Sequence, residues 1–133
     1  MGKILTSLAM LAGDEMAAER MATALAEGDQ EHEQNCFSDT TLADQLANLA
    51  GIRGVLEGEN GALELLDADG QAKVKAALDA AQGALEAIPA PFDQALISDA
   101  GKPKIKAAIE ACEALADAIV AAGKARGLAV EGP

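Results

Sequence analysis

The sequence predicts an all-α fold, specifically an up-down four-helix bundle. Three observations carry that expectation. Apolar residues recur at alternating spacings of three and four, the period of one helix face. Ala and Leu must fill the core, because the only aromatic residues are Phe37 and Phe92. Clusters of Gly and Pro separate the periodic segments, and no alternating strand pattern competes with them.

The first helix is expected from about Lys3 to Glu27. Its stripe is Ile4, Leu8, Leu11, Glu15, Ala18, Ala22 and Leu25, and Gly28 stops it. The second is expected from about Asp39 to Glu57, with Leu42, Leu46, Leu49, Arg53 and Leu56 on one stripe. Gly51 and Gly54 either weaken this helix or let a neighbouring backbone come close. "GENG" at 58–61 is a turn, and "ALELL" adds a short helical turn before "DADG". The third helix, about Gln71 to Ile88, carries Val74, Leu78, Ala81, Leu85 and Ile88, and Pro89 and Pro91 end it. "FDQALIS" reads as a connector with one turn of helix. The fourth runs from about Lys102 to Arg126 through Ile105, Ile109, Cys112, Ala116 and Ile119. Pro103 suits its first turn, and Lys124 and Arg126 suit its C-terminal dipole before Gly127.

A chain of 133 residues is long enough for one domain with a real core. Its net charge of −12 repels phosphate backbones and anionic lipid, which argues against nucleic acid and membrane-surface partners. No apolar run approaches the roughly 18 residues that a membrane span needs. Lys3 followed by a short apolar run mimics a secretory signal. However, Thr6 and Ser7 interrupt the run and the helical period continues through it, so the segment reads as a mature helix. Cys36 and Cys112 make no disulfide framework and are expected as thiols.

Two charges break the apolar stripes. Glu15 and Arg53 pair with each other, or Glu15 pairs with Arg20, or the stripes rotate and both charges reach the rim. The stretch "EHEQNCFSDTT", residues 31–41, holds the single histidine, His32. Its residue types favour a capping role: Ser38 as N-cap for the amide of Thr41, Phe37 stapled on Leu42, and Asp39 in the first turn. A metal reading recruits His32 with Asp29, Glu31 and Glu33, but one histidine with no second partner is a thin ligand set. A nucleophilic reading uses Cys36 or Ser38 with His32 as base, against the surrounding carboxylates.

In order along the chain, "GDEMAAERMATAL", "CFSDTT", "ANLAGIRGVLEG", "AIPAPFDQAL" and "AAGKARGLAV" resemble the second, C-terminal half of imelysin-like proteins. These are bacterial periplasmic or outer-membrane proteins, also called insulin-cleaving membrane proteases and linked to iron acquisition. The resemblance implies a single helical-bundle domain over 1–133, a periplasmic or cell-envelope location, and iron or another divalent metal as cofactor. It implies a binding patch of Glu15, Arg20, Ser38, Asp39, Thr41, Asp44 and Asn48, with structural roles for Cys36, Phe37, Leu42, Phe92 and Asp93. The family's site lies where this bundle meets an N-terminal half bearing a Gly-x-His-x-x-Glu motif, which this sequence lacks. The family's His-Ser pair before the Cys is Gln34-Asn35 here, and its His after the Thr is Leu42. The expectation is therefore a binding module that is not catalytic alone and has no catalytic residue of its own. Its partner is an N-terminal-half chain or a second copy in a homodimer. The alternatives are half of a metal-dependent peptidase and a purely structural, self-associating bundle.

Overall fold

The computed structural model describes residues 1–28 and 40–133, and these contain five helices and no strand. The first helix is continuous over 2–27. It consists of α1 (Gly2–Met10), a π-helical stretch (Leu11–Ala22) and α2 (Thr23–Glu27), and it ends at Gly28 in the left-handed region. There follow α3 (Thr41–Glu57), a 3₁₀ turn (Ala62–Leu65), α4 (Ala68–Glu86), the short α5 (Phe92–Ile97) and α6 (Lys102–Ala125).

Helix α6 organises the core by packing on α4, on the first helix and on α5. Ile105, Ile109, Cys112, Ala116 and Ile119 are all buried along it, as their spacing predicts. Val74, Leu78, Ala81, Leu85 and Ile88 are likewise buried. Helix α4 begins three residues before the expected Gln71. Asp67 caps it, with Oδ1 accepting the amide of Gly70 at 2.8 Å. The "DADG" segment is thus the first turn of a helix and not a loop. A Cβ on Gly70 would lie 3.0 Å from that of Ala122, so this glycine serves close approach of α4 to α6.

The first helix departs from its expected stripe. Leu5, Leu8, Ala9, Ala12, Met16, Ala17, Met21 and Ala24 are buried, whereas Ile4 is 45% exposed. Ala18 is exposed as well. Ala12/Ala17 and Met16/Met21 are pairs five apart, the spacing that stacks in a π-helix with its i→i+5 bonds. An α-helical ruler laid on this segment therefore drifts off the true face. In α3 the buried row is Thr41, Gln45, Leu49, Ile52 and Leu56: Leu49 and Leu56 lie on it as expected, while Thr41, Gln45 and Ile52 take the places expected for Leu42, Leu46 and Arg53.

The first helix and α6 run antiparallel. Gly13 lies beside Ala116 and Leu5 beside Gly123, while Gly70 lies beside Ala122. Arg53 of α3 bonds to Asp79 and Gln82 of α4. After α6, Gly127 adopts φ +72° and turns the chain back, with the Leu128 amide bonded to Gly123 O. Residues 128–133 then run between α1 and α6: Val130 is 3% exposed, and the Glu131 amide donates to Thr6 Oγ1 at 3.0 Å.

Gly51 and Gly54 do not serve a close approach, because a Cβ at either position meets nothing within 4 Å. Gly51→Ala and Gly54→Ala should each stabilise the fold by about 0.5–1 kcal/mol, read as a higher urea midpoint.

Candidate functional site

Helix α3 opens on Thr40, whose hydroxyl donates to Asp44 Oδ2 at 2.9 Å instead of capping a backbone amide. The helix thus starts at Thr41, two residues after the expected Asp39. His32, Cys36, Phe37, Ser38 and Asp39 lie outside the described residues, and with them the Ser38 cap, the Phe37–Leu42 staple, and the metal and nucleophile readings of that stretch.

Thr41 and Gln45 head the buried row that continues as Leu49, Ile52 and Leu56, and Asn48 stands at its edge next to Leu49. The core row of α3 is therefore polar over its first two turns and apolar beyond them. Thr41 and Gln45 are 0% exposed, in a core otherwise built of apolar side chains. Asn48 is half-buried, and its Nδ2 is buried with no hydrogen-bond acceptor among the described residues. An orphaned amide donor costs about 1–3 kcal/mol, and local rules of this kind are broken chiefly where function requires it. Leu42, given a structural role from the sequence, is half-buried against the core. Phe92 is buried on α5, and Asp93 Oδ1 accepts the Gln94 amide at 2.7 Å.

The other half of the expected patch lies on the π-helical stretch, against which α3 packs. Arg20 Nη2 reaches Glu15 Oε2 at 3.1 Å, with both side chains partly exposed. On an α-helix, at about 100° per residue, positions five apart point in well-separated directions. Here the π geometry brings them together, and Thr23 Oγ1 donates to Ala18 O across the same interval at 3.1 Å. Of the expected alternatives, the Glu15–Arg20 pairing is present, and the rotated stripes leave Glu15 and Arg53 toward the rim.

Arg53 does not pair with Glu15. It sits at the rim and spans α3 and α4, with bonds to Asp79 Oδ1 at 2.8 Å, Gln82 Oε1 at 3.2 Å and Glu57 Oε2 at 3.3 Å. The hydrogen bond to Asp79 raises its pKa above the ordinary value, against the opposing effect of burial, and Glu57 adds to the rise. Sequence reasoning missed the π register, Gln45 and Thr40. The signals were present as the repeated five-residue intervals and the polar residue four positions after Thr41.

Among the described residues no group of three or more His, Cys, Asp or Glu side chains could hold a metal ion. Cys112 is a free, buried thiol in α6. Burial, helped by Glu113, pushes its pKa up to about 11 from 9.0. The folded state thus holds this proton more tightly than the unfolded chain does. Stability is full below pH 9 and falls, by roughly 2–3 kcal/mol, as pH rises through about 11. At neutral pH Cys112 should resist thiol reagents until the protein is denatured, which a colorimetric thiol assay checks.

The family model described as Imelysin, a peptidase family, matches residues 1–119. The chain belongs to the imelysin family. The match covers both the π-helical stretch and the polar start of α3, and it ends before the tail that follows α6. No curated protein and no solved structure matches the imelysin chain. None of its described helices is long and apolar enough to cross a membrane.

Proposed function

We propose that this imelysin chain is a binding module, not catalytic alone, that uses the polar start of α3 to engage a partner. Family membership supports a peptidase-related or iron-related setting. Within that setting we assign the chain to the cell envelope and to iron handling, as the equivalent of the C-terminal half of longer imelysins. The antiparallel pair α1–α6 and the contacts α4–α6 and α3–α4 support an up-down four-helix bundle as its architecture.

The observation that carries the reading is Asn48, whose amide donor is buried and lacks an acceptor at the edge of a polar core row. With Asp44 it stands on α3, the helix that packs against the stretch carrying the partly exposed Glu15–Arg20 pair, and together these groups supply donors and acceptors for a protein surface. The fitting partner is an imelysin N-terminal half bearing Gly-x-His-x-x-Glu. Isothermal titration of the purified halves should show saturable binding, weakened about tenfold or more by Asp44→Ala. Absence of binding, or binding indifferent to Asp44, contradicts the reading.

The family's peptidase name supports a second reading, in which the two halves together hydrolyse peptides. Turnover of an unstructured substrate by the mixed halves but by neither alone, and its loss with a chelator, would favour that reading.

A further inference from the structure

The exposed large apolar side chains among the described residues are Met1, Ile4, Val55 and Ile97. Exposed apolar residues scattered singly are ordinary, but the first three of these converge on one cavity of about 260 Å³. Ile4 of α1 and Val55 of α3 form two of its walls, and the 3₁₀ turn closes it with Ala62, Glu64 and Leu65. The turn is fixed in place. Ala62 and Leu63 are buried in the core, and Leu65 O accepts Arg126 Nε at 3.2 Å. A Cβ on Gly61 would run into the carbonyl oxygen of Leu56, so the turn sits tightly on the end of α3. The cavity is therefore pre-formed, with a mostly apolar lining and few polar groups, as binding sites are. Glu64 is the one charged side chain in that lining, and Glu59 precedes the lining residue Asn60. Neither carboxylate is in an ion pair with a described residue.

We propose that this cavity receives an aliphatic side chain of a partner protein segment whose flanking lysines or arginines meet Glu59 and Glu64. The apolar walls select the aliphatic group, and the two carboxylates select its basic neighbours. Charge decides between the possible occupants. At a net charge of −12, a second copy and an anionic lipid surface are both repelled, whereas a basic segment is drawn in. The cavity shares no residue with the polar start of α3 or with the Glu15–Arg20 pair, so this site stands or falls separately from that surface.

The test uses a synthetic peptide of lysines and leucines with one tryptophan, and a counterpart with glutamate in place of lysine. The chain has no tryptophan, so the peptide's emission reports binding on its own. The basic peptide should bind saturably, more weakly at high salt, and shift the methyl resonances of Ile4, Val55 and Leu65. Val55→Lys, at an exposed position, should weaken binding about tenfold or more. Glu64→Gln should weaken it less and make it less sensitive to salt. If Val55→Lys fails to fold, Ile4→Gln gives the same readout from the opposite wall. No binding, or equal binding of the acidic peptide, would overturn the proposal. Shifts spread over other acidic faces, with Ile4 and Val55 unmoved, would mark unspecific attraction and also overturn it. A dimer of the unaltered chain that Val55→Lys disperses would give the cavity to a second copy. Flotation with phosphatidylcholine vesicles, lost in Val55→Lys, would give it to lipid. Either result overturns the assignment to a basic protein segment.

Discussion

Ile119→Ala should lower the unfolding free energy by about 2–5 kcal/mol, near the top of that range. Ile119 is fully buried on α6, the helix that packs on both α4 and the first helix. Its helix neighbours on the buried face include Ala116 and Ala122, whose methyl groups cannot extend into a cavity. A core assembled from short side chains at close helix spacing has little freedom to collapse around the lost ethyl and methyl branches. Urea denaturation should show a lower midpoint with an unchanged slope. Val55→Ala serves as the control: Val55 is 47% exposed, and its truncation should stay within about 0.5 kcal/mol.

Asn48→Leu should act in the opposite direction on stability while removing binding. The asparagine buries an amide nitrogen without an acceptor, so replacing it by an apolar side chain of similar size should raise stability by about 1–3 kcal/mol. The same substitution removes the donor proposed to meet the partner, and affinity for an imelysin N-terminal half should fall at least tenfold. Urea denaturation and isothermal titration on one preparation measure both effects. A variant that is less stable than the parent would mean the amide is satisfied in the folded protein. A stabilised variant that binds as well as the parent would mean the amide serves neither stability nor recognition.

The α4 and α6 faces were legible in the sequence because both helices keep an α period and bury aliphatic side chains along a single row. Pro103, the short α5 at "FDQALI" and the 3₁₀ turn at "ALEL" could be read for the same local reasons. The first helix was misread by a rotation. In α1 the stripe was set one position off, through Ile4 and not Leu5, and in the π-helical stretch a period of 3.6 residues ran on to the exposed Ala18 and off the buried Met16 and Met21. In α3 the search for apolar residues selected Leu42 and Leu46, while the buried row begins with Thr41 and Gln45. Hydrophobicity alone does not mark a core row whose first turns are polar. The tail could not be read either. Its docking depends on glycines at positions 2, 13 and 123, which are far apart in sequence and become a groove only when α1 and α6 lie side by side.

The central claim is that the polar start of α3 and the Glu15–Arg20 pair form the recognition surface. It is tested most directly by mapping amide chemical shifts while an imelysin N-terminal half bearing Gly-x-His-x-x-Glu is added to the labelled chain. The account predicts that the largest changes fall on Thr41, Asp44, Gln45 and Asn48 and on Glu15 and Arg20, with the outer face of α6 unmoved. Changes confined to other surfaces, with the amides of Asp44 and Asn48 unshifted at saturation, would contradict it.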